Sequence, residues 1–173
     1  AAWQSATPEK AALLQSGLNR ELPANLIDSV QEFAEDAKVA TRAAGSQVIN
    51  DLAKAFPLLI SGSADLHGST KNYLKEMGDF SSSNNAGRNL LFGIREHAMA
   101  AEMVGMALHG GILPVGGTFF VFADYMRPSL RLAALSHAKA IFVFSHDSVG
   151  VGEDGPTHQP VEQITNLRTT PNL

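Results

Sequence analysis

Two histidines and two aspartates crowd one glycine-punctuated segment: His146, Asp147, Asp154 and His158. Histidine carries protons near neutral pH, and general acid–base catalysis is worth about 10²–10⁴-fold in rate. The same set also fits a solvated polar loop. Metal ligation is the weakest reading, because no compact His-x-x-x-His spacing on one element supports it. Position favours an active-site loop, since His146 ends the apolar run Ala140 to Ser145. Within the segment, Gly150-Val151-Gly152-Glu153-Asp154-Gly155 satisfies GxGxxG. A dinucleotide fold needs a helix opening at those glycines and an acidic residue about twenty positions on. Pro156 and Pro160 interrupt that helix and the chain ends first, so the dinucleotide reading is rejected.

Glu96 opens an otherwise apolar, Met-rich helical pattern. A carboxylate is favoured at a helix N-terminus, and pairing with Arg95 or Arg42 would explain it without any chemistry. Phe119, Phe122 and Tyr125 fall at i, i+3 and i+6, roughly one helical face. Such a stripe is usually core. It also suits a flat heteroaromatic ligand, each aromatic contact adding about 0.5–1.5 kcal/mol beyond area burial.

The elements that must position these groups follow from periodicity and punctuation. Residues 1 to 39 mix short helical pieces with Pro8, Gly17, Asn19 and Pro23 and read as a connecting arm. Thr41 to Phe56 has helical spacing and stops at Pro57; Leu58 to Ser61 is a short buried strand. A long loop is expected over 67–88, a second strand at Asn89 to Phe92, and a helix from Arg95 to His109 stopped by Gly110 and Gly111. Ile112 to Val115 is the third strand, followed by a helix from about Phe119 to Leu135. Ala140 to Ser145 is the fourth strand, and Pro160 opens a last short helix. Helices alternating with continuously apolar strands predict an α/β domain, a parallel sheet covered by helices on both faces. Ligands in such folds sit outside the carboxyl ends of the strands.

The chain has 173 residues, 45% hydrophobic and 17% charged, with a formal net charge of -4. That is one domain with no broad basic surface for nucleic acid or an anionic membrane. No cysteine is present, which excludes disulfides, thiolate metal sites and a cysteine nucleophile. No run is long enough to span a bilayer, no secretion signal opens the sequence, and a cytoplasmic location is the default expectation.

Four segments in order, GSADLHGS at 62–69, FGIREHAMAAEMVGMALHGG at 92–111, GTFFVFADYMRPSLRLAAL at 117–135 and HDSVGVGEDGPTHQPVEQ at 146–163, resemble transketolases. The resemblance covers about Thr41 to Leu173, with residues 1–39 as an inter-domain connector and 40–173 as the pyrimidine-binding domain. GEDGPTHQPVEQ favours transketolase over deoxyxylulose-phosphate synthases; dihydroxyacetone synthase is a closer relative, and a ketol transferase of that kind is the alternative function. It implies a thiamine-diphosphate enzyme of the pentose phosphate pathway that moves two-carbon ketol units between sugar phosphates by a ping-pong reaction.

By the same resemblance, Glu96 hydrogen-bonds N1′ of the aminopyrimidine, and Phe119, Phe122 and Tyr125 enclose that ring. Asp65 and Leu66 lie near the thiazolium. His146 and His158 bind sugar hydroxyls and assist proton transfer, Asp154 reads the C2 hydroxyl of the acceptor aldose, and Arg42, Ser69 and His146 hold the distal phosphate. Metal ligands are expected to be none here: the Mg²⁺ that accompanies the diphosphate belongs to an upstream GDG-containing module, and this sequence holds no GDG. Active sites of the family join the pyrimidine module of one subunit to the diphosphate module of a second, so a homo-oligomer, a dimer in the family, is expected. The isolated chain is expected to be inactive. A fragment of a ketol transferase, half of a split enzyme and a non-catalytic assembly module are the three readings; the lack of an initiator methionine favours the first.

Overall fold

The apolar runs lie side by side in the computed structural model, which describes residues 2–173. β1 (Leu59–Ser63), β2 (Asn89–Leu91), β3 (Leu113–Phe119) and β4 (Ile141–Ser145) form a four-stranded sheet in the order β2-β1-β3-β4. Every pairing is parallel, with Ser61 opposite both Asn89 and Val115, and Val115 opposite Ile141. Parallel neighbours need crossovers, and helices supply them. α1 (Ala2–Ala6) and α2 (Pro8–Leu18) open the chain, and α3 (Thr41–Ala55) leads into β1. α4 (His67–Thr70) leaves β1, α5 (Glu96–His109) joins β2 to β3, and α6 (Ala123–Leu135) joins β3 to β4. α7 (Gln163–Arg168) packs on α6 near the end of the chain.

Side-chain alternation along the strands makes two cores, one per face. Leu59, Val115 and Val143 meet Ala53 and Phe56 from the α3 side, with Leu74 beneath. Phe142 and Phe144 meet Met99, Met103, Met126 and Leu130 of α5 and α6 on the other face. The three methionines and one leucine named there are at most 1% exposed, which places α5 against the middle of the sheet.

Four expectations are corrected. The third strand does not stop at Val115 but runs to Phe119, because Gly116 and Gly117 are close-approach positions within a strand and not its end. A Cβ on Gly116 would meet the Met103 sulfur at 2.2 Å, and one on Gly117 would meet Asn72 Cγ at 2.8 Å. The following helix starts at Ala123, after a 3₁₀ turn over Phe120–Phe122, so Phe119, Phe122 and Tyr125 sit on a strand end, a turn and a helix and do not share one helical face. Pro160 does not open the last helix, which begins at Gln163 behind a 3₁₀ turn at Pro156–His158. Residues 67–88 are not all loop, since α4 and the bridges Asp79–Asn89 and Ser81–Asn84 order them.

The first forty residues carry α1, α2 and a 3₁₀ turn at Ile27–Ser29. α2 is tied to the end of α5: Gly111 N–H donates to the Gly17 carbonyl at 3.2 Å, and Arg20 Nη2 reaches the Ala107 and Leu108 carbonyls at 3.4 Å.

Candidate active site

From β1 the chain crosses to β2 on one side; from β3 it crosses to β4 on the other. The crevice between the carboxyl ends of β1 and β3 is therefore the switch point at which such sheets bind ligands. Glu96 reaches it from the first turn of α5, 7% exposed. Its Oε1 accepts a long hydrogen bond, 3.4 Å, from Thr118 Oγ1, the residue before Phe119. Neither expected arginine pairs with it: Arg95 Nη1 donates to the Phe92 carbonyl at 3.0 Å and Arg42 turns to Ser69. A buried carboxylate with a single long contact retains acceptor capacity, which is what a ring nitrogen bearing a proton requires.

The aromatic residues converge with both histidines despite their separate elements. Phe119 and Phe122 are nearly parallel, with centroids 5.8 Å apart and planes at 7°, and Tyr125 follows at 6.0 Å from Phe122. The His146 ring stacks on Phe119 at 3.7 Å, and His158 meets Phe119 and Phe122 edge-on at 6.0 and 5.3 Å. Tyr125 is two-thirds exposed at 67%, so the outer side of this aromatic group faces away from the chain's own core.

A cleft of about 710 Å³ opens beside these rings, lined by Arg42, Thr70, Lys71, Asn72, Ser145, His146, Asp147, Glu153 and Asp154 among others. Arg42 Nη1 lies 3.3 Å from the Ser69 carbonyl and 3.4 Å from His146 Nε2. A guanidinium only donates, so Nε2 accepts and Nδ1–H of the neutral ring points to Ser145 Oγ, 3.0 Å away. Burial holds the His146 ring below its ordinary value, and the Arg42 charge pushes in the same direction. His146 itself has φ 53°, left-handed backbone that a branched or bulky residue avoids, and the turn after β4 lays the ring on Phe119. Strained φ of this kind gathers at ligand-facing positions.

Not every expected residue enters the cleft. Asp65, with φ 62°, lines a separate cavity of about 280 Å³ with Ser63, His67, Gly68, Tyr73, Leu91 and Gly93. Leu66 takes part through its backbone, its N–H donating to Ser63 Oγ at 3.0 Å. Ser69 supplies its carbonyl to Arg42. Three groups escaped the sequence reading: Thr118, Ser145 and Lys71. Ser145 is a polar residue closing an apolar strand, a signal present in the sequence; Thr118, past the expected end of the third strand, and Lys71, in an expected loop, had none.

The transketolase pyrimidine-binding domain family matches residues 37–173. The chain is 59% identical over 171 residues to a transketolase of Physarum polycephalum, covering 99% of this chain and 26% of that protein. It is 49% identical over 173 residues to a Bacillus subtilis transketolase, covering 100% and 26%. Among solved structures, a transketolase from Leishmania mexicana superposes with a TM-score of 0.94 at 43% identity, covering 99% of this chain and 26% of that one. A Pichia stipitis transketolase in complex with sedoheptulose-7-phosphate gives 0.93 at 40% identity, with the same coverage. The chain thus spans about a quarter of the length of the relatives it matches. With its parallel sheet, its buried helix-opening carboxylate and a family match over most of its length, this chain belongs to the transketolase pyrimidine-binding domain family.

Proposed function

We propose that the chain is the pyrimidine-binding half of a thiamine-diphosphate- and Mg²⁺-dependent transketolase active site, acting on the sugar phosphates of the pentose phosphate pathway. The observation that carries this reading is Glu96, buried at the start of α5 at the sheet's switch point, hydrogen-bonded by Thr118 beside the Phe119–Phe122 group. Glu96 holds the N1′ side of the aminopyrimidine, and Phe119, Phe122 and Tyr125 form the apolar wall that excludes water from the ring. Bound thiamine diphosphate supplies the carbanion chemistry, and the chain supplies orientation and proton sites.

The cleft takes the sugar. Arg42, with Ser69 and His146, holds the distal phosphate, charge-assisted donors on an anion being the stronger kind of hydrogen bond. Asp154 reads a hydroxyl, and His146 and His158 orient hydroxyls and exchange protons at the carbonyl. Asp65 and Leu66 lie on the thiazolium side, a placement that fits their separation from the cleft. Residues 1–39 serve as the inter-domain connector and 40–173 as the module. The diphosphate and its metal are held by a second subunit's module in a homo-oligomer, in keeping with the quarter of a relative's length that this chain spans.

A ketol-transfer assay with xylulose 5-phosphate, ribose 5-phosphate, thiamine diphosphate and Mg²⁺ tests the reading, first on the chain alone and then with a purified diphosphate-binding module. We expect silence alone and turnover on mixing, reduced roughly 10²–10⁴-fold by Glu96→Gln. Turnover by the chain alone, or an undiminished Glu96→Gln mixture, would overturn it.

A further inference from the structure

Lys71 lines the cleft, yet the roles above leave it unused. Its backbone is clamped from both sides. Thr70 and Asn72 are each 3% exposed, and Thr70 Oγ1 donates to Asn72 Oδ1 at 2.5 Å. The Asn72 amide continues to the Gly62 carbonyl at 2.6 Å and to Ser61 Oγ at 3.1 Å. Lys71 N–H donates to the His67 carbonyl at 3.0 Å and caps α4 with φ 62° and ψ 22°, a left-handed geometry that favours glycine. Both neighbours turn inward, so the lysine is left exposed at the cleft wall. Among the described residues the ion pair found is Lys54–Asp51, so the Lys71 ammonium has no carboxylate partner.

Charge in the cleft is divided between its walls. Arg42 and Lys71 stand on the α3–α4 side, while Asp147, Glu153 and Asp154 stand on the loop after β4. A ligand matched to that division carries an anion at one end and hydroxyls at the other. Arg42 has one nitrogen already shared between the Ser69 carbonyl and His146, and a phosphate dianion is better balanced by two cations than by one. We infer that Lys71 is a second phosphate-binding cation beside Arg42, a specificity-determining residue that separates phosphorylated from unphosphorylated sugars. This rests on the cleft being the sugar-phosphate site.

The test uses Lys71→Gly, since glycine suits φ 62° and removes the ammonium without straining the turn. Inorganic phosphate, ribose 5-phosphate and ribose are titrated into the chain at constant ionic strength, following backbone amide shifts of Thr41–Ser46 and Ser145–Asp147. We expect phosphate and ribose 5-phosphate to shift these amides and ribose not to. Lys71→Gly should weaken both anions roughly tenfold, the scale of one charged hydrogen bond, and Lys71→Arg should restore most of the loss. In the two-module assay the same variant should raise KM for xylulose 5-phosphate and for ribose 5-phosphate roughly tenfold each, with kcat unchanged and, at saturating donor, the use of an unphosphorylated aldehyde acceptor unchanged. Equal phosphate affinity in the folded Lys71→Gly chain, or no phosphate shifts in the unaltered chain, overturns the inference. Failure of ketol transfer on mixing, with the phosphate loss intact, would instead overturn the transketolase reading and leave the anion site standing.

Discussion

The two walls of the cleft are built differently. The wall made by α4 and the strands behind it is knitted by fully buried polar groups. Ser61 Oγ donates to the Asn72 carbonyl at 2.6 Å, and Asn89, 0% exposed, accepts from Leu74 N–H at 2.8 Å and donates to the Leu74 and Gly78 carbonyls at 2.9 and 3.0 Å. The Arg88 guanidinium ties the Ala53, Phe56 and Leu59 carbonyls together beneath them. Across the cleft, residues 147–162 are held by local bonds: Gly150 N–H to Ser148 Oγ, and Gln159 to the Val151 carbonyl. Beyond them, Gln163 Nε2 meets Asp124 Oδ2 at 3.0 Å and anchors α7 to α6. Val149 and Val161 on this wall are 77% and 73% exposed. The Arg42 and Lys71 end of the cleft is therefore fixed in advance, whereas the Glu153 and Asp154 end has room to adjust.

The largest effect should come from the knitted wall. Asn72→Ala removes three side-chain hydrogen bonds; Ser61 Oγ and Thr70 Oγ1 keep the Asn72 and Leu66 backbone carbonyls, but the buried Gly62 carbonyl loses its amide donor and a hole opens beside Gly117. The expected loss is about 2–4 kcal/mol of unfolding free energy, read as a lower urea midpoint with an unchanged slope. Gln163→Leu sits at the anchor of the other wall and should cost no more than about 1 kcal/mol, because the amide it removes has one hydrogen bond and a buried oxygen with none. Its signature is local: faster amide exchange over 147–162 and loss of the aromatic ring-current shift at His158, with residues 59–72 unaffected. Comparable losses for the two variants would break the contrast between the walls.

That contrast was only partly legible in the sequence. The parallel α/β fold followed from apolar runs alternating with helical spacing, and His146 was readable as a strand-terminal group. The knitted wall was not readable: Ser61 and Asn89 were placed in strands, but nothing in those runs says that their side chains are wholly buried and bonded across to Asn72 and Leu74. Gly116 and Gly117 misled for the same reason, since their lack of a side chain answers to Met103 and Asn72, distant in sequence. The aromatic trio converges, but not as one helical face: a strand end, a 3₁₀ turn and a helix bring the three rings together without a helical period.

The smallest effect is electrostatic and tests whether the cleft is arranged for neutral histidines. His67 on the knitted wall and His146 at the cleft are both held below the ordinary 6.5, in each case first by burial. His146 is lowered further by Arg42 and by His158, against opposing pulls from Asp154 and Asp147. For His67, Nε2 lies 3.3 Å from the Leu90 carbonyl and Nδ1 is buried without a hydrogen bond, and burial outweighs the opposing pulls of the Leu90 carbonyl, the Asn72 side chain, Asp79 and Asp65. A base lowered in the folded state binds fewer protons than its unfolded counterpart between the two values. Stability from both rings is thus fully present above about pH 6.5 and is lost as pH falls through the folded values. Ring-proton titration by NMR should place both midpoints below 6.5. Arg42→Met should move the His146 midpoint upward by the lesser share, since burial remains, and leave His67 where it was. A His146 midpoint at or above the ordinary value would mean that the buried seat of the ring against Phe119 is not kept in solution, and the Arg42 end of the cleft would then lose the ring that Arg42 contacts.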